Sequence, residues 1–204
     1  MLVVDEGYRS RHSVIAGIDE AGRGPLAGPL VAAAVAFPPG SDINGVDDSK
    51  KLSSAKREEL YGRIAEIADA FSTGVVKPEE IDRLGMGFCV KLAFARAAEN
   101  LGLRVDLFLV DGLPVRNLEF KAEFIVKGDS KSLSIAAASI IAKVSRDRMM
   151  LKAHKLYPEY GFDSNKGYGT RRHLEAIRRS GPCPIHRMSF SPMSRKNQLR
   201  LPLE

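Results

Sequence analysis

Cysteine is scarce in this 204-residue chain: Cys89 and Cys183 are the only two, far apart and in unlike contexts. That argues against a disulfide framework or a zinc site and predicts two inert thiols. Long apolar runs are missing as well. The longest, such as residues 30–37 (LVAAAVAF), are too short to span a bilayer. The N-terminal MLVVDEGYRSR lacks the basic-then-apolar pattern of a secretory signal, and a cytoplasmic location is expected. There is no internal repeat, no low-complexity tract and no P-loop. Residues 17–24 do not satisfy the dinucleotide fingerprint, because acids occupy the turn where a pyrophosphate would sit. A Rossmann reading is disfavoured.

What is present describes an ordinary globular protein, with 44% apolar and 27% charged residues. The length predicts one domain with a small appended region. A formal net charge of +6 tilts towards a polyanionic partner without naming one. The surplus is concentrated in the last third, which carries among others Lys152, Lys155, Lys166, Arg171, Arg172, Arg178, Arg179 and Arg187.

The most informative stretch is IDEAGRGPLAGP at residues 18–29. An apolar run (14–18) ends in two adjacent carboxylates, Asp19 and Glu20. Gly22, Arg23 and Gly24 follow, then a Pro/Gly turn. Adjacent acids at the end of a buried strand carry a large desolvation cost unless cations or hydrogen bonds compensate them. Glycines beside them let a backbone approach a ligand closely. Acid pair, glycine loop and arginine together suggest a metal-bound phosphate or sugar site. Residues 30–37 read as a second strand, paired with the first as an antiparallel hairpin through a turn at 27–29.

Farther on, Ser53 is a good N-cap for a helix over 54–69. The polar loop before it, with Lys50 and Lys51, is either a solvated linker or a phosphate contact at a helix N-terminus. A third strand is expected at 70–76, a short helix from Pro78, and an amphipathic helix over 86–101 with Phe88, Leu92, Phe94 and Ala95 in the core. Strands at 106–110 and 124–126 run into Asp111 and Asp129. Three apolar strands thus end in acids, and functional groups collect at the carboxyl ends of strands in α/β sheets. If these strands are neighbours, Asp19, Glu20, Asp111 and Asp129 converge, and an all-carboxylate set prefers Mg²⁺ or Mn²⁺ over zinc. Successive strand residues point to opposite faces, so the chain is expected to bend at Glu20 if both acids share a site.

A long helix is predicted over 133–155, small and apolar at first and basic later, with Asp147 as a surface ion-pair partner. Tyr168, between two glycines, is either a stacking platform for a base or sugar or a plug for a local pocket. A basic helix follows at 170–180. Residues 1–12 read as a short leader, and 191–204 show no usable pattern.

These stretches carry a family. IDEAGRGPLAGP, DDSKKLS at 47–53, VDG at 110–112, KGDSKSLSIAAASIIAKVSRD at 127–147, and GYGT then GPCPIHRMSF within 167–190 together resemble ribonuclease HII, in the right order over residues 14–192. The related ribonuclease HIII carries an N-terminal domain and a Glu as its last acid, so type HII is the better match. The resemblance implies an α/β RNase H-like fold: a mixed central β-sheet flanked by helices, catalytic over 1–155, with a C-terminal helical substrate-binding region at 156–204. It implies that Asp19, Glu20, Asp111 and Asp129 are catalytic and hold two Mg²⁺ or Mn²⁺ ions. Gly22, Arg23 and Gly24 would read a ribose 2′-hydroxyl, and Tyr168 would stack on the next sugar. Lys50, Lys51, Lys166 and Arg171 would contact phosphates. The implied activity is hydrolysis 5′ of ribonucleotides in RNA–DNA hybrids or embedded singly in duplex DNA, leaving 5′-phosphate and 3′-hydroxyl ends. The competing readings are a non-catalytic nucleic-acid-binding module and a DNA nuclease of the same fold. No membrane partner is expected, a monomer is, and QLRLPLE lacks the paired aromatics of a sliding-clamp peptide.

Overall fold

In the computed structural model, residues 2–46, 49 and 52–194 are described. Five strands build one mixed sheet in the order β3-β2-β1-β4-β5. These are β1 (Ile15–Ala21), β2 (Leu30–Ala36), β3 (Ala70–Val76), β4 (Leu107–Asp111) and β5 (Ala122–Ile125). β2 lies antiparallel between β1 and β3, whereas β1–β4 and β4–β5 are parallel. The expected hairpin is therefore present, but its first strand is longer. Asp19, Glu20 and Ala21 pair in regular register with Ala33, Ala32 and Val31. The ladder runs through Glu20 to Ala21 without a break in pairing, and the connecting loop is residues 22–29. Small partners on β2 carry the ladder past the point where the apolar run ends.

β2 (LVAAAVA) is buried along its whole length because helices cover both of its faces. On one face Ala16, Ile18, Ala32 and Ala34 pack against α3 (Pro78–Leu84) and α4 (Met86–Asn100). On the other, Ala33 and Val35 meet Leu60 and Ile64 of α2 (Ser54–Ile67) and the alanines of α5 (Leu133–Leu156). Residue 17 must be glycine for α5 to lie this close. A Cβ there would stand 2.1 Å from the Ser134 carbonyl carbon and 2.3 Å from the Ile135 nitrogen.

Two expectations are corrected. Residues 2–9 form a helix, α1 (Leu2–Arg9), rather than a leader. It is held because Asp5 accepts the Ser134 N–H at the start of α5 (2.9 Å) and Arg9 donates to the Phe37 carbonyl (2.7 Å). On α4 the buried stripe is Cys89, Val90, Ala93, Phe94 and Ala97, so Phe88 falls off it and is half exposed. Both cysteines are free and buried, as their spacing suggested.

Beyond α5, a short helix α6 (Phe162–Asn165) and α7 (Arg171–Ser180) enclose a third apolar cluster. Met150, Tyr160, Phe162, Ala176 and Cys183 build it, with Ala27 inserted from the loop after β1. No helix among the described residues is long and apolar enough to cross a membrane.

Candidate active site

β1 and β4 are parallel neighbours, so Asp19 and Asp111 come together at their carboxyl ends. A cleft of about 390 Å³ opens there. Three acids line it (Asp19, Glu20, Asp111), together with residues 21–24, Ser49, Ser139, Lys143, Arg146 and Tyr168. The carboxylate of Asp19 is buried, accepts the Glu20 N–H (2.7 Å) and takes a hydrogen bond from the Ser139 hydroxyl. Ser49 Oγ lies 2.7 Å from Ser139 Oγ. Burial, then the charges of Glu20 and Asp111, raise the Asp19 pKa well above the usual aspartate range. Glu20 faces Arg23, whose guanidinium stands 3.2 Å from its carboxylate.

Asp111 accepts the Gly128 N–H (2.7 Å), which ties the end of β4 to the 3₁₀ turn Gly128–Ser130. Asp129 is buried in that turn, next to the cleft but not in its lining. Among the described residues, no three His, Cys, Asp or Glu side chains are drawn up as a ready coordination shell. The donor chemistry nevertheless fits a hard divalent cation. The acids offer oxygen only, and Asp19's raised affinity for a proton marks negative charge that a cation would relieve.

Two buried arginines hold the loop after β1. Arg146, from α5, donates to the carbonyls of Ala27 (3.1 Å), Pro29 (2.9 Å) and Lys166 (3.0 Å). Arg187 donates to those of Gly22 (2.6 Å), Arg23 (3.0 Å) and Gly28 (2.9 Å). Gly22 has φ of +102°, and a Cβ there would lie 2.2 Å from Arg146 Nε; only glycine fits. Tyr168 is 45% exposed, its ring edge next to Gly24 and 5.9 Å from the Arg146 guanidinium.

The structure thus gathers Asp19, Glu20, Asp111, Gly22, Arg23, Gly24 and Tyr168 in one cleft, with Asp129 adjoining. Lys166 and Arg171 are not in its lining. The Lys166 ammonium turns to the Asp163 carbonyl, and Arg171 is exposed and paired with Glu175 (2.8 Å). Lys50 and Lys51 lie outside the described residues. Asp147 is ion-paired as expected, to Lys143 (2.7 Å) and Arg57 (3.9 Å), but at the largely buried α2–α5 seam rather than on the surface.

Ser49, Ser139, Lys143, Arg146 and Arg187 escaped sequence reasoning. Ser139, Lys143 and Arg146 are spaced i, i+4, i+7, so a polar stripe on the otherwise apolar start of α5 was the available signal.

Comparison with known proteins places the chain in a family. The Ribonuclease HII family model matches residues 16–193. The ribonuclease HII of Desulfitobacterium hafniense (strain DSM 10664 / DCB-2) is 53% identical over 182 residues, covering 89% of this chain and 70% of that protein. The crystal structure of ribonuclease H2 from Pyrococcus horikoshii OT3 superposes with a TM-score of 0.75 at 30% identity, covering 91% of this chain and 98% of that one. Bst-RNase HIII, crystallised in complex with Mn²⁺, shares the fold with a TM-score of 0.71 at 19% identity, over 91% of this chain and 69% of that one. The chain belongs to the ribonuclease HII family, nucleases of the hydrolase class.

Proposed function

We propose that this ribonuclease H hydrolyses the phosphodiester on the 5′ side of ribonucleotides, both in RNA–DNA hybrids and singly embedded in duplex DNA, and thereby serves ribonucleotide removal. The observation that carries the reading is one cleft joining three carboxylates, Asp19 buried among them, to the glycine loop and Tyr168. Asp19, Glu20, Asp111 and Asp129 would hold two Mg²⁺ or Mn²⁺ ions, as all-oxygen donors suit. Bound there, the ions supply Lewis acidity to generate a water nucleophile and to stabilise the leaving 3′-oxygen, giving 5′-phosphate and 3′-hydroxyl products.

The chain's own residues do the rest. Arg146 and Arg187 engage the carbonyls of the loop after β1, which orients its peptide groups before substrate arrives. A pre-oriented backbone can hydrogen-bond a 2′-hydroxyl, the one group that distinguishes RNA from DNA at this position. Tyr168 offers a ring face to the following sugar. Lys50, Lys51, Lys166 and Arg171 would contact phosphates, with residues 156–204 forming the substrate-binding side of a cytoplasmic monomer.

The test is a labelled DNA duplex carrying one ribonucleotide, beside an all-DNA duplex and a continuous RNA–DNA hybrid, with Mg²⁺, Mn²⁺ or EDTA. Metal-dependent cleavage 5′ of the ribonucleotide, sparing all-DNA duplex, is expected. Cutting of the all-DNA duplex would sink the ribose-recognition claim, and tight binding without cleavage would sink catalysis.

A further inference from the structure

His173 and His186 are enclosed in the third apolar cluster and do not line the cleft. Their hydrogen bonds nevertheless run in a single direction towards it. His186 Nδ1 stands 2.9 Å from the Cys183 N–H and 3.2 Å from the Cys183 carbonyl; the shorter contact makes the nitrogen an acceptor and puts the ring proton on Nε2. The Cys183 thiol, 3.1 Å away, can donate to the same nitrogen; the opposite tautomer would aim two N–H groups at each other. His186 Nε2 lies 3.0 Å from His173 Nε2, which must therefore accept. That leaves the His173 proton on Nδ1, where it reaches the Tyr168 carbonyl at 2.8 Å. Burial holds both rings below the ordinary histidine range, His186 at about 4, so both are neutral at neutral pH.

The segment that starts this relay also grips the glycine loop. His186 pairs with Ala27 in a short antiparallel bridge, flanked by Gly28 N–H to Ile185 O (2.9 Å) and Arg187 N–H to Leu26 O (2.8 Å). The Arg187 guanidinium holds the Gly22 and Arg23 carbonyls. Residues 183–187 therefore touch both recognition elements, one through backbone and guanidinium, the other through two imidazoles. Tyr168 sits between two glycines, of which Gly167 is tied to the loop by the Leu26 N–H (2.8 Å); the imidazoles add a hold on the Tyr168 carbonyl itself. Its carbonyl otherwise has the Thr170 N–H (2.8 Å), a local contact within the same turn.

We propose that His173 and His186 are positioning residues that fix the distance between the Gly22, Arg23, Gly24 backbone and the Tyr168 ring. Through that distance they set the preference for a ribonucleotide followed by DNA over a continuous RNA strand. The proposal rests on the reading given above, in which the loop reads the 2′-hydroxyl and the ring the next sugar. A loosened ring weakens recognition of the junction. The carboxylates, anchored on β1, β4 and the turn after β5, stay in place.

Two measurements test it. In the wild-type protein with ¹⁵N-labelled histidine, long-range ¹H–¹⁵N correlation should show His186 protonated at Nε2 and His173 at Nδ1; the reverse tautomer on either ring overturns the proposal. In kinetics, His173→Phe should lower kcat/KM for the single-ribonucleotide duplex about tenfold relative to the continuous hybrid, the loss of one well-placed hydrogen bond. His173→Asn, which keeps a donor near the Nδ1 position, should restore the ratio. His173→Phe combined with Tyr168→Ala should be no worse in that ratio than Tyr168→Ala alone. Equal losses on both substrates, or additive effects in the double variant, overturn it. If His173→Phe does not fold, the Asn variant and the tautomers decide. A wild-type protein that cleaves neither substrate defeats the underlying reading and this proposal with it. Cleavage of both with an unmoved ratio defeats the positioning role alone.

Discussion

A carboxyl group buried beside two others binds a proton more readily than a free aspartate, and Asp19 is in that position. Its charge is a cost to the fold above its raised pKa, and that cost fades as pH falls through it. Asp19→Asn is therefore expected to lower cleavage by roughly a thousandfold or more while leaving thermal stability at pH 7 unchanged or higher. Parallel activity and melting measurements check this. His186 has the opposite sign. Its folded pKa is about 4, so the unfolded chain takes up a proton near the ordinary histidine value first. Its contribution is complete above about pH 6.5 and falls away towards pH 4, by about 3 kcal/mol in all. Urea midpoints between pH 7 and 4.5 should show the decline, and His186→Phe should flatten it. At this scale the acids were legible because each followed an apolar run. Arg146 and Arg187 were not, since a guanidinium that holds carbonyls counts the same in sequence as one that meets a phosphate.

The elements tell a similar story with a different cause of error. Helices α2, α4 and α5 were readable from the Ser53 cap and from apolar patterning; in the structure Ser53 and Ser132 both accept first-turn N–H groups. β1 was cut short because the reading stopped where hydrophobicity stopped, whereas its ladder with Ala32 and Val31 continues. α1 was missed because its ties are single long-range hydrogen bonds to Ser134 and Phe37, which leave no local periodicity. A close contact between elements gives a sharp prediction. Gly17→Ala, set against the Ser134 backbone at 2.1 Å, is expected to destabilise by about 2–4 kcal/mol or prevent folding. Urea denaturation would measure it. Arg187→Lys keeps the charge but loses the fork onto Gly22, Arg23 and Gly28, and should cost about 2–3 kcal/mol with a rise in KM.

Over the whole molecule, a net charge of +6 with its surplus in the last third sets how substrate is met. Affinity for a duplex should fall linearly on a log–log plot against salt, with a slope of about −0.9 per phosphate neutralised. Charge reversal at Arg171 should flatten that slope without abolishing cleavage; fluorescence titration across salt checks both. The fold class was legible at this scale through the family resemblance that the motifs carry in order along the chain. The strand order was not, since it depends on which partner lies on each side of β1. That central placement also governs the order of assembly. β1 meets β2 across a short loop, so the β1–β2–β3 meander can close early. β4 joins β1 only after α2, β3, α3 and α4 have been laid down between them. Asp19 and Asp111 stand on opposite sides of that seam, and Arg187 arrives from later still. Catalytic competence is thus a late event in folding: during refolding from urea, cleavage activity should return more slowly than circular dichroism reports the return of strands and helices.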